Sequence, residues 1–139
     1  MNNEVTAKLN NFLAKQAHLL SGEGVAFASA ARIATASSAD IKAYGKQGLI
    51  VIFDVTAVHA SGSDIKCKIE GKDPASGKYY TILESASVIT VSTNTYRVNT
   101  LLTAAANTIA KDMMPETFRF TMTHANANST TYSVGYVLV

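Results

Sequence analysis

At 139 residues the chain has the length of one domain and enough material to bury a core without disulfides or metal. Only 16% of its residues are charged, against about 25% in an ordinary soluble domain, and a net charge of +2 is too mild to mark a nucleic-acid binder. The single Cys67 excludes an intrachain disulfide, and no run approaches the roughly 18 apolar residues of a membrane span.

The N-terminus lacks the basic stretch and apolar core of a signal peptide, so the expectation is a soluble product made in the cytoplasm. Residues 3–20 have helical periodicity instead. Val5, Leu9, Phe12, Leu13, Gln16 and Leu20 recur at spacings of three and four, with Lys8, Asn11 and Lys15 on the other side. Asn2 or Asn3 can cap this helix, and residues 21–24 end it. A rod of about 25 Å is marginal alone in water and has to pack on its own domain or on a neighbouring chain. Residues 1–24 are therefore read as a helical arm, and residues 25–139 as a β domain.

From Val25 onward the period changes to two. Residues 27–37 form a weak, Ala-rich strand. Residues 49–60 form a strong one, whose opening run LIVIF suits a strand covered on both faces or one passing from core to interface. Residues 64–83 spell a hairpin: Ile65, Cys67 and Ile69 alternate with Lys66, Lys68 and Glu70, and Asp73, Pro74, Ser76 and Gly77 supply the turn. Cys67 then reads as a buried small hydrophobe.

Residues 88–98 give a further strand or pair of strands. Residues 101–115 break the pattern and suggest a crossing loop with one helical turn, closed by Pro115. Phe118, Phe120 and Met122 then alternate with Arg119, Thr121 and Thr123, and Tyr132, Val134, Tyr136 and Leu138 follow after a polar tip. Seven or eight short strands with regular turns predict an antiparallel β-sandwich, Ig-like or jelly-roll-like, behind an N-terminal amphipathic helix.

Chemistry is sparse. His18, His59 and His124 have no metal-like partner at short spacing, and the acids are scattered. Asp54 follows an apolar run and is expected to make a structural hydrogen bond or to pair with Arg32, Arg97 or Arg119 rather than to act in catalysis. No phosphate loop or EF-hand series is present, so no catalytic, metal or cofactor site is expected and the chain is read as a non-enzyme. Lys66, Lys68, Lys72 and Lys78 are read as protection of a strand edge rather than as a patch for an acidic surface. Thr93, Thr95, Thr121, Thr123, Thr131 and Ser133 point outward and make flat faces that lose little entropy when covered.

The segments EGKDPASGKYYTIL (residues 70–83) and LLTAAANTIAKDMMPETFRFTMTHANANSTTYSVGYVLV (residues 101–139) resemble a group of small virion proteins of tailed bacteriophages. In that group a strand precedes GKDPASGKYY, followed by LTAAAN, a proline, an aromatic-Arg pair, THA and YSVGY. The likeness covers most of residues 49–139 and leaves out the N-terminal arm. It implies a β-sandwich displayed in many copies on the virion, with capsid decoration as the leading role and a tail, neck or baseplate subunit as the alternative. The implied partners are the major capsid protein or other virion subunits, together with further copies of the chain in a homo-oligomer; neither nucleic acid nor membrane is among them. Val5, Leu9, Phe12, Leu13 and Leu20 are the candidate anchoring or oligomer surface. A second alternative is a carbohydrate-binding module using Tyr79 and Tyr80, or Asn126 and Asn128 at the polar tip.

Overall fold

The computed structural model describes residues 2–19 and 22–139, with residues 15–19 described by their backbone alone. The chain is mostly strand with one helix, α1 (Asn3–Leu19), as expected. The strands are β1 (Glu23–Arg32), β2 (Ala36–Ser37), β3 (Ile41–Lys42), β4 (Leu49–Ala57), β5 (Ile65–Lys72), β6 (Tyr79–Glu84), β7 (Ser92–Val98), β8 (Ile109–Ala110), β9 (Thr117–His124) and β10 (Thr130–Leu138). They form two sheets, one ordered β1-β10-β4-β7-β8 and the other β2-β9-β5-β6, with β3 also beside β9. Neighbours run antiparallel except β7 and β8.

The period-two pattern builds the core between the sheets. Leu49, Val51, Phe53 and Val55 of β4 point inward with Tyr132, Val134 and Leu138 of β10. They meet Ile65, Cys67 and Ile69 of β5 and Phe118, Phe120 and Met122 of β9. Tyr132 stands edge-on to Phe53 at 5.4 Å, and Phe118 edge-on to Phe120 at 5.8 Å, the geometry that aromatic quadrupoles favour. Burial pushes the Cys67 thiol up to about 12, as befits the reduced core residue expected there.

The predicted hairpin is β5 and β6. The Asp73 carboxylate accepts from the amides of Ala75 and Ser76, Asp73 N–H donates to Lys78 C=O at 2.8 Å, and Gly77 takes φ 71°, which a side chain resists. It is the only connection joining antiparallel neighbours within one sheet; β1–β2, β3–β4, β4–β5, β6–β7, β8–β9 and β9–β10 all pass from one sheet to the other.

Three expectations change. Residues 27–37 are not one strand: β1 starts earlier and ends at Arg32, and the chain then crosses to the other sheet before β2. Residues 101–115 contain no helical turn; β8 lies parallel to β7 after a turn at residues 105–108, with Asn107 at φ 63°. Finally, β5 is not an edge strand, because β9 and β6 hydrogen-bond both its sides, so its lysines have no edge to protect.

The registers define two ends. At the first lie Gly22, residues 43–48, the 73–78 turn, residues 99–102 and 111–116, and Val139; Leu138 N–H donates to Gly22 C=O there, where α1 leads into the sandwich. The second end carries residues 33–35, 58–64, 89–91 and 124–129.

Candidate functional site

Three surfaces stand out. The first is α1. Asn2 caps it by accepting the Val5 N–H at 2.8 Å, and Glu4 in its first turn pairs with Lys8 at 3.0 Å across one turn. Val5, Leu9, Phe12 and Leu13, four of the five expected anchoring residues, share one side and are 48%, 44%, 57% and 53% exposed. No strand covers them. Leu20, the fifth, lies outside the described residues, as does the side chain of His18.

The second surface is the outer face of the β1-β10-β4-β7 sheet. Its register sets Val25, Gly135, Ile52 and Thr95 in one row and Glu23, Val137, Ile50 and Arg97 in the next. A third row holds Ser133, Asp54 and Thr93, where Thr93 Oγ1 donates to Asp54 at 2.8 Å. Asp54 thus makes the structural hydrogen bond that was one of its two expected roles, to a hydroxyl on the neighbouring strand rather than to an arginine. The apolar run of β4 is buried on one face only: Ile50 and Ile52 are partly exposed on the other, Ile52 in an uncharged row with Val25, Gly135 and Thr95 and Ile50 beside Arg97.

The third is the outer face of the β2-β9-β5-β6 sheet, which is charged and internally matched. Glu70, nearly buried, accepts from Arg119 Nε at 3.1 Å and from the Thr121 hydroxyl. The Arg119 guanidinium lies 3.4 Å from the centre of the Tyr79 ring, and Tyr79 donates its hydroxyl to Asp40 at 2.6 Å. Lys72 completes the chain by pairing with Asp40 at 2.7 Å. The hydrogen bonds from Lys72 and Tyr79 hold the Asp40 carboxyl below its ordinary range, and Asp40 in turn raises Lys72. Lys66 and Lys68 bracket Glu84 at 3.8 and 3.6 Å. Glu84 stands opposite Lys68 at the far end of the same hairpin, whereas Asp40, the partner of Lys72, comes from a loop before β3 that the hairpin's own spacing does not reveal.

The carbohydrate candidates do not meet. Tyr79 and Tyr80 lie at the first end, and Asn126 and Asn128 at the second, roughly 23 Å along β9. One face of Tyr79 is taken by Arg119, Tyr80 is exposed, and Asn128 is tied to Gly62 C=O at 2.6 Å.

Of the histidines with described side chains, His59 accepts the Ser61 N–H at 3.0 Å, while His124 Nε2 lies 3.0 Å from the Tyr132 hydroxyl. Burial, with Arg32 nearby, lowers the His124 pKa from 6.5, and burial pushes Tyr132 up to about 12. Arg32 stacks 4.8 Å over the Tyr132 ring and donates to the carbonyls of Ala28, Ala30 and Tyr132, so it ties the end of β1 to β10. Among the described residues no group of three or more His, Cys, Asp or Glu side chains gathers as metal ligands would.

Sequence reasoning did not single out the apolar side chains around the first end. Leu101 is 89% and Met113 74% exposed, with Tyr44 and Val139 about half exposed. Between them opens a groove of about 400 Å³ lined by Lys46, Gln47, Thr100, Met113, Met114 and Glu116. The Met-Met-Pro sequence in the crossing loop was its one visible signal. No protein-family model matches the chain, and no curated protein matches it.

Proposed function

We propose that the chain is a non-catalytic structural subunit of a tailed-phage virion, a decoration protein seated on the major capsid shell. The observation that carries this reading is a self-sufficient sandwich joined to an amphipathic helix whose Val5, Leu9, Phe12 and Leu13 nothing among the described residues covers. Such a protein is built to be completed by other subunits. The uncharged row of Val25, Gly135, Ile52 and Thr95 supports it, because short side chains lose little freedom when a neighbour covers them. Each bound copy would link neighbouring shell subunits and stabilise them by mass action.

The strand order favours the jelly-roll form of the sandwich over the Ig-like form. Sheets ordered β1-β10-β4-β7 and β2/β3-β9-β5-β6 alternate as two interlocked Greek keys do, an architecture that capsid and lectin domains share. Fold alone does not choose between those roles. The carbohydrate reading draws less support, since its candidate tyrosines and asparagines sit at opposite ends and Tyr79 is engaged.

Imaging of particles carrying a tagged copy tests the proposal. Label distributed over the head is expected; label confined to the tail would move the chain to the tail or neck, and unlabelled particles would overturn a virion role. Deleting residues 1–20 is expected to abolish occupancy while the sandwich stays folded, because its core and sheet hydrogen bonds all come from residues 22–139.

A further inference from the structure

The α1 stripe carries information about its own partner. Val5, Leu9 and Phe12 are followed in sequence by Gln16 and Leu19, so the spacing alternates four, three, four, three. That is the a/d seam of a heptad repeat, with Val5, Phe12 and Leu19 at d and Leu9 and Gln16 at a. Leu13 and Leu20 fall at e and widen the stripe beyond the narrow seam that two helices bury between them. A third helix covers that extra width.

Charge fixes the direction. Lys8 and Lys15 both fall at g. In an antiparallel pair g faces g, which would set Lys8 of one helix against Lys15 of the other. In a parallel pair g faces e of the next heptad, so Lys8 lies over Leu13 of the neighbour, its stem on apolar surface and its ammonium group in water.

The sandwich agrees. α1 enters it at the first end, the same end where Leu101, Met113, Tyr44 and Val139 are exposed. A parallel bundle gathers those ends around its base. From these observations we infer that α1 seals its apolar stripe against the α1 helices of other copies, in a parallel bundle of at least three. The inference rests on the reading of the chain as a subunit completed by others, and it names further copies of this chain, rather than the shell, as the occupant of the helix surface. The shell is left for the sandwich, where linking several copies multiplies weak contacts.

Sedimentation equilibrium of the full chain tests this without any particle. A mass of three or more chains is expected, falling to one chain in the double variant Leu9→Asp, Phe12→Asp with an unchanged near-ultraviolet signal from the sandwich tyrosines. Gln16→Leu replaces the polar a residue and should tighten the assembly. Asn2→Cys, also at an a position, should oxidise to a linked pair in a parallel bundle, whereas antiparallel helices hold these residues about 25 Å apart. A wild-type monomer or dimer, or no link through residue 2, overturns the inference. An oligomer that never occupies particles would refute the virion role and leave the bundle standing; a monomer that does occupy them would do the reverse.

Discussion

On the outside of the β2-β9-β5-β6 sheet, Glu70, Arg119, Tyr79, Asp40 and Lys72 hand one contact to the next across three strands and a loop. On the outside of the β1-β10-β4-β7 sheet, Val25 and Ile52 share a row with Gly135 and Thr95, while Glu23, Arg97 and Asp54 are confined to the rows on either side. Both sheets bury the same core, so the contrast is not about folding. The charged face is finished: anything docking there has to strip water from groups that already satisfy one another, and desolvating such groups costs more than new contacts return. The other face is neutral along its row of Val25, Gly135, Ile52 and Thr95, and that row has little to desolvate. With α1 it is the part of the molecule on which a partner gains most.

Two substitutions sharpen that contrast most. Glu70→Ala leaves the Arg119 guanidinium and the Thr121 hydroxyl without their shared acceptor in a nearly buried place. It is expected to lower unfolding stability by about 2–3 kcal/mol in urea denaturation. Ile52→Thr on the neutral face is expected to change stability by only about 0.5 kcal/mol while reducing particle occupancy. Equal losses of stability would erase the distinction between a finished and an unfinished face.

A smaller effect separates charge from shape within the finished face. Arg119→Lys keeps the positive charge beside Glu70 but removes the planar group stacked on Tyr79. A loss of about 1 kcal/mol is expected in the same measurement. An unchanged midpoint would mean that the charge alone matters and that the stacking contributes nothing.

The legible parts of the fold are those whose partners are near in sequence. Asp73, Ser76 and Gly77 close β5 onto β6 within a few residues, so the turn chemistry and alternation could be read directly. Six of the other connections pass from one sheet to the other, and alternation says which side chains face inward without saying which strand lies alongside. That is why alternation turns Phe118, Phe120 and Met122 to one side of their strand, the core side, without naming Thr93 as the residue that bonds Asp54 or Asp40 as the partner of Lys72. The same reason hid β8: two residues beside β7 leave no periodic trace. The α1 stripe was legible because a helix writes its face locally. Its lack of any cover within the sandwich could be seen only once the folded chain was described.

The smallest expected effect is on acid stability, and it separates the rim of the sandwich from both outer faces. His124 is held neutral: burial lowers its pKa from 6.5, Arg32 adds to this, and its buried Nδ1 has no hydrogen-bond partner among the described residues. A proton on the ring would therefore find no acceptor there. Between the lowered folded value and 6.5 the unfolded chain binds more protons than the folded one, so stability falls as pH drops through this window and is fully present above 6.5. Asp40 acts in the same direction but only below its ordinary value of 3.8, where the loss of its bonds to Lys72 and Tyr79 reaches the charged face. Melting temperature measured against pH is then expected to fall in two separate steps. His124→Gln should remove the upper step and leave the lower one, whereas Asp40→Asn should do the opposite. If His124→Gln leaves the upper step in place, the acid sensitivity arises elsewhere and the buried imidazole at the rim is not its source.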